Sequence, residues 1–213
     1  TPVAAVNSVP GSIFLCAFML LLWCCGVHGQ MVTMALTAPI TTAAFTANAA
    51  LVAKGQAPIF HPIFMTLGIG FLGGTGNTLG LCILSCWKSQ QLKAFGKATI
   101  VPSIFRISEP ALFGAPIMFN PVLMLPFIAN GLIVAILYWL ACSFGLLTAP
   151  YLLISGTYPV FLSLFVYCLD WRVFIFIALM IPLTLAIWYP FFVAYDHSLC
   201  KKEEATKLAE EEA

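Results

Sequence analysis

Glu109 is the residue in this chain whose type and position best suit the binding of a polar ligand. It is the only acidic residue between Thr1 and Ile154, its surroundings are strongly apolar, and Pro110 follows it directly. An ionisable side chain at membrane depth costs about 2.5–3.5 kcal/mol on insertion scales and normally faces a cavity or a partner. Because a proline frees backbone groups beside the carboxylate, we predict that Glu109 is a binding residue. The structural alternative is an ion pair with Arg106 at the headgroup boundary.

Three further polar residues are candidates for the same kind of site. His28 ends an apolar run within the sequence Gly-Val-His-Gly; neutral imidazole both donates and accepts hydrogen bonds, and glycines allow close approach of the backbone. The alternative for His28 is a hydrogen bond to a helix-end carbonyl. Asn48 and Asn77 are candidates because their amides lie within long uncharged segments, 31–53 and 59–86.

Catalytic, cofactor and metal sites find little support in the residue pattern. The body of the chain has no paired carboxylates and no CxxC pair, and seven of the eight cysteines lie within apolar runs, where cysteine behaves as a small hydrophobe. The sequence GIGFLG at 68–73 matches GxGxxG, but no acid lies at the downstream spacing that a dinucleotide site requires. We therefore predict no catalytic residue, no cofactor and no metal; an intramembrane enzyme with Glu109 as base is a minor alternative.

Composition places these residues in a membrane protein. The chain has 213 residues, of which 62% are hydrophobic and 8% charged, and its mean hydropathy is +1.02. A soluble domain carries about 25% charged residues, so an ordinary soluble domain, a nucleic-acid binder and a disordered chain are excluded. Six of the eight acids lie in the last 18 residues, which leaves a basic body and an acidic tail.

Uncharged stretches long enough to cross a bilayer indicate an all-α polytopic membrane protein. We predict about four full transmembrane helices (10–27, 59–86, 122–147 and 173–195) plus two re-entrant or broken helical hairpins near 36–53 and 101–120. The stretch 87–97 is predicted to be a basic amphipathic helix at the cytoplasmic interface. The expected domains are a membrane domain at 1–197 and a polar cytoplasmic tail at 198–213.

Six motifs, in this order and with suitable gaps, point to one family. They are VHG (27–29), GGTGNTLGL (73–81), WKSQQLKAFGK (87–97), ISEPALFGAPIMFNP (107–121), DWR (170–172) and YPFFVAYD (189–196). Together they resemble the sugar-permease subunit, enzyme IIC, of the bacterial phosphotransferase system, in its lactose/cellobiose/diacetylchitobiose group. The resemblance covers about residues 3–197, which correspond to the C-terminal half of the family's length. Because the first residue is Thr1 rather than Met, we expect the chain to begin inside a longer one or after processing.

The resemblance implies that a disaccharide is bound, translocated, and phosphorylated by a partner subunit, enzyme IIB, which carries the phosphoryl-transfer residue. In this family the glutamate and histidine that correspond to Glu109 and His28 face the sugar. Where the family has a Trp-Thr-x-Pro segment, this chain reads SGTYP at 155–159, so Tyr158 or Trp171 is expected to replace the stacking tryptophan. Asn usually precedes the glutamate, and here Ser108 does.

The resemblance also predicts the setting in which the chain works. It implies a multi-pass protein of the bacterial cytoplasmic membrane, surrounded by lipid and dimeric at full length. The order of the predicted spans puts the C-terminal tail in the cytoplasm, and the composition excludes nucleic acid as a partner. The competing interpretation is a degenerate or incomplete permease remnant, a membrane structural or assembly protein whose helices pack but bind nothing. SGTYP at 155–159 and the missing N-terminal half favour that alternative.

Overall fold

The computed structural model describes residues 5–85, 89–115, 117–154, 156 and 158–211, and within these ranges the chain is helical with no strand. Besides the short 3-10 turn Pro62–Phe64, its helices are α1 (Val9–Cys24), α2 (Gly29–Ala53), α3 (Met65–Gly68), α4 (Leu79–Ser85), α5 (Gln90–Ile104), α6 (Glu109–Gly114), α7 (Pro121–Ser143), α8 (Val160–Cys168) and α9 (Arg172–Glu211).

Three of the described helices are long and apolar enough to cross a membrane. They are α2, α7 and the 34-residue stretch Arg172–Ala205 of α9, while the apolar α1 is shorter at 16 residues. This confirms the all-α polytopic class. It also confirms helices at the predicted positions 10–27, 122–147 and 173–195. Helix α9 continues without a break into the polar tail, across the domain boundary that we placed after residue 197.

Two predicted segments exchange their roles in the structure. The hairpin predicted near 36–53 is wrong, because this segment belongs to the continuous 25-residue helix α2 despite Pro39. Alanine is the best helix former, and a proline inside a membrane helix is tolerated when its surroundings satisfy the freed backbone. The full span predicted at 59–86 is also wrong: α3 and α4 are short and are separated by turns at 69–78.

Glycines explain why the chain leaves the helical path between α3 and α4. Gly73, Gly74 and Gly76 have φ values of +90°, +82° and +76°, a region that glycine enters without the steric penalty of a side chain. Residues 68–78 are all buried. Irregular backbone at membrane depth is tolerated when protein surrounds it or when it lines a cavity, so this glycine loop (69–78) is an internal element of the fold.

Asn77 holds the glycine loop in place. Its Oδ1 accepts a hydrogen bond from the Leu72 amide at 2.8 Å, and its Nδ2 donates to the carbonyls of Gly68 at 3.3 Å and Asn130 at 3.4 Å. The indole Nε1 of Trp188 donates to the Asn77 carbonyl at 3.2 Å. These contacts join the glycine loop to α7 and α9.

The broken segment predicted at 101–120 is confirmed and is positioned by the basic helix before it. Helix α5 overlaps the predicted interfacial helix at 87–97, of which residues 87 and 88 lie outside the described residues, and it continues to Ile104. The Ser89 amide, one residue before α5, donates to Asp196 Oδ1 of α9 at 3.1 Å. The C-terminal end of α5 leads directly into the turn before the six-residue helix α6, which begins at Glu109.

The Asp170–Arg172 pair fastens the connection between α7 and α8 to the start of α9. Asp170 is buried and accepts hydrogen bonds from the Thr148 amide at 2.9 Å, the Arg172 amide at 3.0 Å and the Arg172 guanidinium at 2.9–3.1 Å. Arg172 also donates to the Gly145 carbonyl at 2.9 Å. Burial alone would raise the pKa of Asp170, but the hydrogen bonds from Arg172 and Thr148 outweigh it and lower the pKa from 3.8 to about 2.

We expect the Asp170→Asn substitution to destabilise the protein at neutral pH and to matter less in acid. A hydrogen bond to a charged group contributes about 1.5–3 kcal/mol, so the variant should lose about that much near pH 7. Because the folded-state pKa is depressed, this stabilisation is present above the ordinary pKa and is lost as the pH falls towards 2. Thermal unfolding in nanodiscs from pH 7 to pH 2.5 measures the difference; a gap that is independent of pH would contradict the expectation.

Candidate binding site

A cavity of about 220 Å³ opens beside the glycine loop, and most of its lining is polar. It is lined by residues from five separate segments of the chain: Gln30, Gly70, Gly74, Thr75, Arg106, Ser108, Glu109, Gly156, Tyr158 and Tyr167. We call it the polar cavity. It brings together Glu109 and Tyr158, two of the residues selected from the sequence, and His28 lies at its edge.

Glu109 is the first residue of α6, and its carboxylate is available to a ligand. Its side chain is 48% exposed, and among the described residues the side chain within ion-pair distance is His28, whose Nε2 lies 3.8 Å from Glu109 Oε1. The ion pair with Arg106 that was the structural alternative is not formed. Arg106 Nε instead donates to the Gly70 carbonyl at 2.9 Å, and its guanidinium lies 5.9 Å from the centre of the Phe71 ring.

One ring nitrogen of His28 has a structural role, and the other faces the edge of the polar cavity. It is the N-cap of α2, where its Nδ1 accepts a hydrogen bond from the Met31 amide at 3.2 Å. Because Nδ1 accepts, the proton of the neutral imidazole lies on Nε2, the nitrogen that faces Glu109. The 3.8 Å separation is too long for a direct hydrogen bond, so both groups remain able to bind a ligand hydroxyl.

The turn that carries Glu109 rests directly on the glycine loop. A Cβ atom built at Gly74 would lie 2.6 Å from Ser108 Cβ, 2.7 Å from the Arg106 carbonyl oxygen and 2.8 Å from the Ser108 amide nitrogen. A Cβ atom essentially never approaches atoms of another segment this closely, so only glycine permits this approach. This close contact with the glycine loop therefore fixes the position of Glu109 in the cavity.

The other sequence candidates lie in the cavity, in the protein interior or on the surface. Tyr158 lines the polar cavity, whereas Trp171 is 66% exposed and does not; Ser155 and Thr157 of the SGTYP segment lie outside the described residues. Asn48 lies away from the cavity, with its Nδ2 donating to the carbonyls of Ile59 at 2.8 Å and Pro150 at 2.7 Å, and its Oδ1 accepting from the Ile59 amide.

Asn77 also lies outside the polar cavity, since its amide is engaged within the glycine loop. Sequence reasoning missed two polar side chains that do line the cavity, Gln30 and Tyr167. Gln30 Oε1 accepts a hydrogen bond from Thr75 Oγ1 at 3.1 Å, which joins the start of α2 to the glycine loop. The sequence signal that could have identified Gln30 as a lining residue is its position two residues after His28.

A second cavity of about 450 Å³ adjoins the first along α2. It shares Gln30 with the polar cavity and includes His28, and it is lined mostly by threonine and apolar side chains: Met19, His28, Gln30, Met31, Met34, Thr37, Ala38, Thr41, Thr42, Thr66, Leu67 and Leu153. We call it the α2 cavity. Within the described residues, no group of three or more His, Cys, Asp and Glu side chains is placed to hold a metal ion.

Comparison with known proteins places this arrangement in a family. The family model described as "Phosphotransferase system, EIIC" matches residues 3–131, more than half of the chain. The chain belongs to the EIIC family. His28 and Glu109 lie inside the matched residues of this EIIC chain, and Tyr158 lies beyond them.

Relatives of this EIIC chain are sugar permease components. It is 33% identical to the lichenan permease IIC component of Bacillus subtilis (strain 168), over 99% of this chain and 48% of the relative. It is 32% identical to the lactose-specific EIICB component of Lacticaseibacillus casei, over 94% of this chain and 36% of the relative. The chain spans about half the length, or less, of the curated relatives it matches.

The fold agrees with that of a solved EIIC transporter. The crystal structure of ChbC, the IIC component of the N,N'-diacetylchitobiose-specific phosphotransferase system, superposes with a TM-score of 0.87. The two chains are 28% identical, and the match covers 95% of this chain and 48% of ChbC. The resemblance that the sequence motifs indicated is therefore confirmed for family and fold.

Proposed function

We propose that this EIIC chain binds a β-linked disaccharide of the cellobiose, lactose or diacetylchitobiose class and presents it for phosphorylation by a partner subunit. The observation that carries the proposal is the pairing of Glu109 and His28. A carboxylate and an imidazole N–H face each other at 3.8 Å at the edge of a polar cavity, in a chain built to span a membrane.

The groups around the polar cavity suit a sugar. The Glu109 carboxylate accepts hydrogen bonds from hydroxyl groups, and His28 Nε2–H donates to a hydroxyl oxygen. Gln30 and Thr75 add polar groups to the lining, and Tyr158 supplies an aromatic ring for the apolar face of a pyranose. A few well-placed polar groups that orient a ligand, combined with rings that contact its apolar faces, are typical of small-molecule sites.

The proposal includes the partner and the setting expected for this family. The name EIICB of some relatives combines the IIC and IIB components in one chain, which supports enzyme IIB as the phosphoryl donor for the bound sugar. The setting is the bacterial cytoplasmic membrane, with the C-terminal end of α9 in the cytoplasm and a homodimer at full length. Exposed Lys93 and Lys97 of α5 are placed to contact lipid phosphates on that side.

Equilibrium binding of radiolabelled cellobiose, lactose and diacetylchitobiose to the chain in nanodiscs tests the proposal. We expect saturable binding of at least one of them, and displacement of the label by the same unlabelled sugar. Cooperative thermal unfolding shows that the chain is folded. A folded chain that binds none of the three sugars would overturn the proposal and favour a permease remnant.

Two substitutions of His28 separate its role at the helix N-terminus from its role towards the ligand. His28→Asn keeps an acceptor at the N-cap, a position that asparagine favours, but removes the Nε2 donor that faces Glu109. We expect this variant to bind sugar about threefold to tenfold more weakly, as the loss of one neutral hydrogen bond implies, with little change in thermal stability. His28→Ala should weaken binding equally and also destabilise the fold by about 1 kcal/mol. Unchanged sugar binding in both variants would contradict the assignment.

A further inference from the structure

The polar cavity contains a cation, Arg106, that no carboxylate neutralises. Among the described residues that line this cavity, Arg106 and Glu109 carry a charge, and they lie three residues apart in the sequence. The ion pairs formed in the described part of the chain do not include Arg106. The cavity therefore holds a positive and a negative side chain that are not paired with each other.

The contacts of the Arg106 guanidinium place it in the wall of the cavity. Its Nε donates a hydrogen bond to the Gly70 carbonyl at 2.9 Å, and the group interacts with the Tyr167 hydroxyl. Gly70 and Tyr167 both line the polar cavity. The guanidinium carbon lies 5.9 Å from the centre of the Phe71 ring, within the range of a cation–π interaction. The positive charge is thus held among lining residues.

Some of the hydrogen-bonding capacity of Arg106 remains for a ligand. A guanidinium has five N–H donors and no acceptor, and the contacts with the Gly70 carbonyl and the Tyr167 hydroxyl account for two of them. No further hydrogen-bond partner of this side chain lies among the described residues. Because a planar guanidinium binds a phosphate through two parallel hydrogen bonds, the remaining donors suit a phosphate group.

The backbone of Arg106 is held in an unusual conformation. Its φ of +64° lies in the left-handed region, which is unfavourable for a residue with a side chain. The Arg106 amide donates to the Ser103 carbonyl at 2.9 Å, and its own carbonyl oxygen lies 2.7 Å from a Cβ atom built at Gly74. Strained backbone of this kind clusters at ligand sites. The turn that carries Glu109 therefore also holds Arg106 in a fixed position.

A phosphate ester is the ligand group that this arrangement fits. A neutral sugar needs hydrogen-bond donors and acceptors but no cation. Phosphorylation of a hydroxyl introduces about −1.5 to −2 elementary charges at pH 7, and the Glu109 carboxylate, which binds sugar hydroxyls in the proposed function, would repel them. A cation in the same cavity offsets this repulsion, and Arg106 is the cation that the described lining provides.

We propose that Arg106 binds the phosphate group of the phosphorylated disaccharide, so that the polar cavity holds the product of the partner's reaction as well as the free sugar. This inference rests on the proposed function and extends it to a second ligand of the same site. It assigns the two charges of the cavity to different ligand groups, since Glu109 contacts sugar hydroxyls and Arg106 contacts the phosphate. Arg106 then determines how tightly the product is held.

Binding of a disaccharide and of its phosphate ester to the chain in nanodiscs of neutral lipid tests the inference. The ligands are whichever of cellobiose, lactose and diacetylchitobiose binds most tightly, and the 6′-phosphate of the same sugar, each radiolabelled. We expect Arg106→Gln to weaken binding of the ester about 10- to 150-fold, as the loss of a hydrogen bond to a charged group implies, and binding of the disaccharide less than about threefold. In the unaltered chain, added salt should weaken binding of the ester but not of the disaccharide.

Two further variants control for charge and for side-chain geometry. Lys93 is an exposed cation of α5 that does not line the polar cavity, so Lys93→Gln should leave both affinities unchanged. Arg106→Lys keeps the charge but lacks the planar fork, so its affinity for the ester should lie between those of the unaltered chain and Arg106→Gln. Thermal unfolding shows whether each variant is folded. If neither Arg106 variant folds, the effect of salt on the unaltered chain provides the test.

The outcomes separate the inference from the function on which it rests. A chain that binds the disaccharide but not the ester would overturn the assignment of Arg106 and leave the proposed function intact. Unchanged ester affinity in Arg106→Gln, an equal loss of affinity for both ligands, or ester binding that salt does not weaken would also overturn it. Displacement of the ester by an equal concentration of inorganic phosphate would show an anion site that does not recognise the sugar. A folded chain that binds neither form of any of the three sugars would overturn the proposed function itself.

Discussion

Replacing Gly74 with alanine is expected to abolish sugar binding, although the residue offers no side chain to a ligand. The new Cβ would lie 2.6 Å from Ser108 Cβ and 2.7 Å from the Arg106 carbonyl oxygen. The backbone fixes both of these atoms, so rotating a side chain cannot relieve the contact. The turn between α5 and α6 must therefore move, and Glu109 moves with it. A displacement of about 1 Å at a positioning element is enough to cost about 100-fold in function in other systems.

Gly55→Ala is the matched control for this substitution. Gly55 has φ +73°, close to the +82° of Gly74, but no atom lies within 4 Å of a Cβ built there. Both variants therefore bear the cost of a left-handed alanine, about 1–2 kcal/mol, and only Gly74→Ala disturbs a neighbour. Binding of labelled cellobiose and thermal unfolding are measured for both. If the two variants lose binding to the same extent, the close contact with Ser108 is not what positions Glu109.

Sequence alone was sufficient to identify the residues whose chemistry is unusual for their surroundings. Glu109 and His28 stood out because a charge or an imidazole is costly in an apolar segment unless it has a role, and the structure places them 3.8 Å apart. Helices α7 and α9 followed from length and hydropathy alone. In each case the deciding property belongs to a short stretch of sequence.

The errors concern properties that depend on contacts distant in sequence. Proline and glycine both disfavour helix. From composition we expected Pro39 to break its segment, which is helical in the structure, and we expected residues 68–80 to remain within a span, although their glycines form a loop. The glycine loop forms because Asn77 and Trp188 make hydrogen bonds to its backbone. The local sequence does not reveal these hydrogen bonds. The selection of Asn48 as a binding residue stays a prediction; its amide joins Ile59 to Pro150, 102 residues away from Asn48.

The same reasoning explains why Gln30 and Tyr167 escaped notice. Each is an ordinary polar residue on a helix, and only the packing of the helices brings it to the polar cavity. Gln30, for example, contacts Thr75, which is 45 residues away in the sequence. A site assembled from five segments can be recognised from its most exceptional residues, but its boundaries follow only from the packing.

Substituting Glu109 with glutamine should weaken sugar binding by about 10- to 150-fold, the range that corresponds to one hydrogen bond to a charged group. Glutamine has nearly the same shape but replaces one acceptor oxygen with a donor and removes the charge. Glu109→Asp keeps the charge on a shorter side chain, so its affinity should fall between those of the unaltered chain and Glu109→Gln. Glu204→Gln, in the exposed part of α9, is the matched control and should bind normally.

Thermal unfolding of Glu109→Gln distinguishes a binding role from a structural one. Among the described residues no hydrogen bond to the Glu109 carboxylate is formed, and the imidazole of His28 lies 3.8 Å from it. A carboxylate at membrane depth without such partners costs stability, and residues kept for function often do. We therefore expect Glu109→Gln to unfold at the same or a higher temperature while it loses affinity. A lower unfolding temperature with unchanged sugar binding would show that Glu109 supports the fold instead, and would remove the central residue of the site.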